Sequence, residues 1–202
     1  MRIIAISDTH GWHNKVKVPA GDLLIHAGDF TNVGEDWLVE NFNDWLGTLP
    51  HRHKIVIAGN HEIDLNHSLI TNALYLEDTG TTINGLKFWG SPWQPAFNNW
   101  AYNLDTAAEL QEKWALIPED TDVLITHVPP WGTLDRLPDS LPLGCQELAA
   151  RLEVIRPKAH FFGHIHSGYG MRETEHTVYI NAAILDEHYM LANDPIEIEI
   201  DP

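Results

Sequence analysis

Apolar residues in this chain come in short, nearly unbroken runs separated by polar turns, the pattern of strands buried on both faces. Residues 2–7 (Arg-Ile-Ile-Ala-Ile-Ser), 22–27 (Asp-Leu-Leu-Ile-His-Ala) and 54–58 (Lys-Ile-Val-Ile-Ala) predict three such strands, and 122–126 and 159–162 two more. Between the second and third, Trp37, Leu38, Phe42, Trp45 and Leu46 recur at helical spacing, which predicts a helix over 35–47 with those residues on its core face. Strand, helix, strand is a crossover unit of a mainly parallel sheet. Helices are also expected over 106–115, carrying Ala107, Leu110 and Trp114, and over 145–154, opened by Cys145. Residues 81–90 read as a hairpin turning at Asn84-Gly85. Short strands follow near 169–173 and 177–181. The alternating run Ile196-Glu-Ile-Glu-Ile200 predicts a half-exposed edge strand. The segment Pro129 to Pro142 holds four prolines and reads as an ordered loop. With no repeat or composition shift, 1–202 is expected to be a single mixed α/β domain.

Composition narrows the function. Hydrophobic residues make up 44% of the chain, too many for disorder. No apolar run approaches the ~20 residues of a membrane span. The N-terminal stretch Met1-Arg-Ile-Ile-Ala-Ile-Ser7 is too short for a signal peptide, and Cys145 has no cysteine to pair with, so a cytoplasmic location is expected. Twelve basic against 29 acidic residues give a formal charge of −17, without the Lys/Arg stripe that grips nucleic acid. A small anionic substrate stays open, because bound metal ions can dominate the local field.

Five polar clusters change the picture: Asp8-Thr-His10, Gly28-Asp29, Gly59-Asn-His-Glu62, Thr126-His127 and Gly163-His-Ile-His166. Each follows a predicted strand, and ligands of α/β sheets gather beyond the carboxyl ends of strands. Each offers oxygen or imidazole nitrogen and none offers sulfur, a donor set suited to manganese, iron or zinc. Singly, each has a bland reading as a turn or a solvated histidine; together and in order they point to a metal site.

The string Asp-x-His, Gly-Asp, Gly-Asn-His-Glu, His, Gly-His-x-His resembles calcineurin-like metallophosphoesterases over residues 8 to 166. Stretches such as His26-Ala-Gly-Asp-Phe-Thr31, Lys54-Ile-Val-Ile-Ala-Gly-Asn-His61 and Gly168-Tyr-Gly170 are similar to the metallophosphoesterase-domain-containing branch. The resemblance implies a four-layer α/β/β/α sandwich, two mixed sheets with helices outside. It implies two divalent ions, manganese the first expectation and iron or zinc the alternatives. Asp8, His10, Asp29 and His166 would hold one; Asp29, Asn60, His127 and His164 the other. Asp29 would bridge them together with a water or hydroxide, and the unligated His61 would face the leaving group. Two divalent ions against two carboxylates and a hydroxide leave the site cationic, and the neutral amide of Asn60 preserves that charge. Two such ions hold both oxygens of an in-line displacement. Many relatives carry a second aspartate three residues after the Gly-Asp aspartate to orient the catalytic histidine. Here that position is Asn32, so either its amide or another group must orient His61.

The other polar and aromatic residues have plainer readings. His26, inside a strand, is expected to be a hydrogen-bonded core residue, whereas His13, His51 and His53 read as surface. Trp12 and Trp131 each sit a few residues beyond a ligand and are the candidates to stack on a flat substrate group; Trp93 and Phe97, in the loop after the hairpin, are weaker ones. The leading expectation is a dinuclear phosphoesterase of small phosphodiesters or phosphomonoesters, nucleotides among them. The alternative from another class is a nucleotide-binding or scaffolding module with a slow or silent site. A nuclease ranks last.

Overall fold

The computed structural model describes residues 1–137 and 141–201. Of the proline-rich loop predicted from Pro129 to Pro142, residues 138 to 140 therefore lie outside the described residues. The apolar runs form two mixed sheets. In the first, β1 (Arg2–Ile6), β2 (Leu23–His26), β3 (His53–Val56) and the short β4 (Leu74–Tyr75) run parallel, and the C-terminal β13 (Ile196–Glu199) pairs antiparallel on the free edge of β1. In the second, β6 (Leu86–Ser91), β9 (Val123–Thr126), β10 (Ala159–Phe162) and β12 (Val178–Asn181) are parallel. Its edges are the antiparallel β5 (Thr79–Ile83) and β11 (Gly170–Glu173). Asn84 and Gly85, both at positive φ, make the β5–β6 turn, as two-residue hairpins require. The two-residue β7 (Gln94–Pro95) and β8 (Asn103–Leu104) pair with each other. Elements that short leave no periodicity, and neither they nor β4 were expected.

Three apolar layers account for the burial. Alternate residues of both sheets, including Ile3, Ile25, Ile55, Phe88, Ile125 and Phe161, fill the space between them. The other face of the first sheet packs Ile4, Ile6, Leu24 and Val56 on Val39, Phe42, Trp45 and Leu46 of α1 (Asp36–Thr48). The outer face of the second carries Leu124 and Val128 against α2 (Ala107–Ala115) and α3 (Gln146–Ile155). Helix, sheet, sheet, helix is the four-layer sandwich that the resemblance implied. Thr106 closes a capping box with Glu109 at the start of α2, and the Cys145 thiol caps α3 by accepting from the Leu148 amide.

Several side chains depart from expectation. Trp37 is 66% exposed rather than buried. It precedes Leu38 by one residue, about 100° around the helix, and falls off the edge of the stripe formed by Leu38, Phe42 and Trp45. His13 is buried, its Nε2 2.8 Å from the Asn41 Oδ1 and its ring beside Phe42 and Trp45. His51 is buried too. His26 meets the Thr9 hydroxyl at 3.0 Å inside the core, as expected.

Two buried histidines make the fold acid-sensitive. Burial pulls His26 down to about 3 and His160 down to about 3 from 6.5. His160 must donate Nε2–H to the Thr126 oxygen, since that hydroxyl already donates to the Val128 carbonyl. Below pH 6.5 the unfolded chain gains protons on these rings that the folded chain refuses until near pH 3, so stability falls as pH drops. One unit below 6.5, each ring costs the fold about 1.4 kcal/mol. Between pH 7.5 and 5.5, His160→Gln should remove about 1.4 kcal/mol of acid destabilisation relative to the wild type, read from the urea midpoint; an identical pH dependence in both would remove His160 from the account.

Candidate metal centre

The five clusters fold into turns at the carboxyl ends of β1, β2, β3, β9 and β10, and backbone hydrogen bonds lace those turns together. The Asp8 amide donates to the Gly28 carbonyl at 2.9 Å, that of His10 to Asp29 at 3.0 Å, and that of Gly163 to His127 at 3.0 Å. The His164 amide reaches from the second sheet to both carboxylate oxygens of Asp8, each at 3.0 Å. Ligand atoms of Asp8, His10 and His166 lie within 4.8 Å of one another. The same holds for Asp8, Asp29 and His127, and for His10, Asp29 and His61. Asn60 joins the second set, its Oδ1 3.0 Å from the His127 Nε2. The His164 ring stands 5.0 Å from that of His127.

This convergence is bought with backbone strain. Asp8, His10, Asp29 and His164 all sit at positive φ, between 40° and 66°, where a residue with a Cβ is disfavoured and which marks functional sites. Glycines admit the close approach. A Cβ on Gly163 would stand 1.9 Å from the Asp8 Oδ2, and one on Gly59 2.3 Å from the Asp29 Oδ1. Glu62, buried, ties the turns after β2 and β3. Its Oε2 accepts from the Gly59 and Asp29 amides at 2.7 and 2.9 Å, and its Oε1 from the Thr31 amide and hydroxyl at 2.9 and 2.8 Å. Burial and the nearby Asp29 charge push Glu62 up to about 7, yet all four contacts need an acceptor, so the carboxylate is the form that the turns select. Asn181 does the same for the second sheet, donating to the Gly163 and Ile165 carbonyls.

The electrostatics are those of a cation site. Burial opposes ionisation of Asp8 and Asp29, but facing imidazoles, His166 and His127, hold both below the ordinary carboxylate range. Reciprocally, burial works against charge on His127, but Asp29, 3.3 Å from its Nε2, carries it up to about 10. Asp8, 3.4 Å from the His166 Nε2, carries that ring up to about 9 against its burial. Burial, with the neighbouring His127, pulls His164 down to about 3. His127 and His166 each turn Nδ1 to a main-chain carbonyl, of Ala27 at 2.9 Å and Asp186 at 2.8 Å. That leaves Nε2 to the site, the usual outer support of a ligating histidine. Among the described residues, neither nitrogen of the buried His10 ring has a hydrogen-bond partner. Orphaned imidazole, paired buried carboxylates and cradling glycines fit a divalent cation.

Above the turns opens a cleft of about 550 Å³. Asp29, Asn60, His61, His164 and His166 are among its polar lining, and Phe97, Trp100, Val128, Leu143, Ile165 and Tyr189 among its apolar walls. Of the aromatic candidates, only Phe97 is there. Trp12 is exposed and does not line the cleft. Trp93 is turned away: its indole donates to Asp78 and its ring lies 4.2 Å from the Lys113 Nζ. Trp131 lines an adjoining hollow that shares Pro95, Ala96 and Leu143 with the cleft. Trp100 and Tyr189 take the wall instead. The His61 ring is oriented by Asn32, through its main-chain carbonyl 2.8 Å from Nδ1 rather than through its amide.

A model of the calcineurin-like phosphoesterase family matches residues 1–168. The chain belongs to that family. Metallophosphoesterase domain-containing protein 1 of Homo sapiens is 41% identical over 230 residues, spanning 98% of this chain and 71% of the relative. UPF0046 protein K07C11.7 of Caenorhabditis elegans is 38% identical, spanning 97% and 74%. The solved structure of TT1561 from Thermus thermophilus shares the fold at TM-score 0.60 and 14% identity, covering 89% of this chain and 88% of that one. Tyr189 lies beyond the residues that the family model matches.

Two outcomes follow from this geometry. At pH 7 the raised His127 and His166 hold protons that a cation must displace, so manganese uptake should release protons and tighten as pH rises. Calorimetry in buffers of different ionisation heat reads that release, and binding without it would contradict the ring assignments. Glu62→Gln puts an amide donor against amide donors. It should cost about 1–3 kcal/mol of stability and weaken manganese uptake; a variant with unchanged uptake would show that Glu62 does not set the turns.

Proposed function

We propose that this protein is a dinuclear metal-dependent phosphoesterase acting on small phosphodiesters or phosphomonoesters, nucleotides among them. The observation that carries this reading is Asp29. Its carboxylate belongs to two overlapping donor groups, with His10 and His61 in one and Asp8 and His127 in the other, which suits a ligand shared by two ions. In this reading Asp8, His10, Asp29 and His166 hold one ion and Asp29, Asn60, His127 and His164 the other, manganese being the first choice. Bound there, the ions would acidify water and draw charge from the phosphoryl oxygens.

The remaining chemistry falls to the chain. Protonated His61, with Nδ1 given to the Asn32 carbonyl, presents Nε2–H to the cleft and donates it to the departing ester oxygen. The apolar walls receive the ester group and shed its water. Among the described residues lining the cleft there is no lysine or arginine, so the ions supply the charge for one phosphoryl group and a polyphosphate tail finds no partner. Among the described residues, no helix is long and apolar enough to cross a membrane, and the lone, buried Cys145 favours a cytoplasmic setting.

Purified protein, stripped and reloaded with manganese, should hydrolyse bis(p-nitrophenyl) phosphate. Asn60→Ala and His127→Ala should lower both metal content and rate. His61→Ala should cut the rate by roughly 10²–10⁴-fold and leave metal content intact. Folded, metal-loaded protein inert toward every ester offered would overturn the proposal, and full activity in His61→Ala would overturn the role given to that ring.

A further inference from the structure

We propose that Trp100 is a positioning residue that holds His61 in its working orientation, where the turn offers its Nδ1 only the neutral main-chain carbonyl of Asn32. The inference rests on the reading of His61 as the proton donor. Four contacts define where that ring sits. Its backbone amide donates to the Asp29 Oδ1 at 2.8 Å, which fixes the start of the side chain. Its Nδ1 faces the Asn32 carbonyl at 2.8 Å; a carbonyl only accepts, so Nδ1 carries the proton and Nε2 is left for the cleft. A neutral carbonyl lacks the charge assistance of a carboxylate, which makes such bonds roughly twice as strong, and one bond leaves the ring free to swing about it. Trp100 removes that freedom. Its ring stacks on His61 with centroids 4.1 Å apart and planes 28° from parallel, while the His10 ring meets His61 edge-on at 4.4 Å.

Trp100 is itself anchored for this purpose. The amide of Ala101 donates to the Asn60 carbonyl at 3.0 Å, tying the loop between β7 and β8 to the very turn that carries Asn60 and His61. The buried Gln94 grips the same loop through its Nε2, 3.2 Å from the Ala101 carbonyl and 3.0 Å from the Asn103 Oδ1. Trp100 belongs to none of the three apolar clusters formed by the described residues and is only half-buried, and the ring that it stacks on is that of His61.

Full-length, manganese-loaded Trp100→Ala and Trp100→Phe test the assignment against bis(p-nitrophenyl) phosphate. Trp100→Ala should lose about 10- to 100-fold in kcat with metal content unchanged, beyond any rise in KM from the lost piece of cleft wall, and Trp100→Phe, which can still stack, should recover most of the kcat. Combined with His61→Ala, Trp100→Ala should add almost nothing, because residues acting as a unit are not additive. If Trp100→Ala does not fold, Trp100→Leu, apolar but unable to stack, carries the same expectation. A second readout needs no turnover: in metal-free protein the His61 Cε1–H resonance, assigned with His61→Asn, should be displaced by the indole ring current and move toward its random-coil position in Trp100→Ala. A loss in KM alone, a loss that multiplies with that of His61→Ala, or an unmoved resonance would overturn the proposal. Wild-type protein inert with every metal would sink the phosphoesterase reading instead, and the resonance would still decide whether Trp100 holds His61.

Discussion

Two buried carboxylates, Asp8 and Asp29, with ligand atoms within 4.8 Å of each other, set the terms for everything around them. Like charges that close and that dry are untenable without positive charge between them. The fold answers with imidazoles, from His10 in the turn of Asp8 itself and from three other turns. In the metal-free chain, protons on His127 and His166 supply the balance; divalent cations supply it when bound.

Such a charge cluster cannot be built on one element. It lies at the joint edge of two sheets, and the link across that edge is covalently remote: the Asp8 carboxylate receives the amide of His164, 156 residues away. Bringing the turns this close forces four site residues into left-handed backbone and requires glycine at 59 and 163, where a Cβ has no room. The strain is local, and two sheets with largely apolar interiors hold it. Glu62 and Asn181 then turn the tight loops into fixed platforms, by satisfying buried backbone donors and acceptors that would otherwise cost stability.

The cleft divides its labour. Its floor is polar and set by strands; its walls are aromatic and set by loops, including Tyr189 from the segment after the matched family region. The orienting partner of His61 follows the same division. A carboxylate from the strand-end turn is absent at position 32, a main-chain carbonyl takes Nδ1, and an indole from a neighbouring loop bounds the ring.

The sequence by itself determined the longer strands, the three helices and the ligand-bearing clusters, because each is a local pattern. An apolar run of four to six residues needs no distant partner to be recognised, and Asp29 or His127 is marked by the strand that it follows. Family likeness extended that to the two-sheet sandwich. Only the tertiary structure decided which aromatic rings face the cleft. Trp12, Trp93 and Trp131 lie near ligands along the chain, yet Trp100 and Tyr189 are near in space, and loops carry no periodicity that predicts where they return. It likewise decided that His13 and His51 are buried while Trp37 is exposed, and that Asn32 serves through its backbone. Burial and hydrogen bonding of these residues depend on what packs against them from elsewhere in the chain, and no local pattern encodes that.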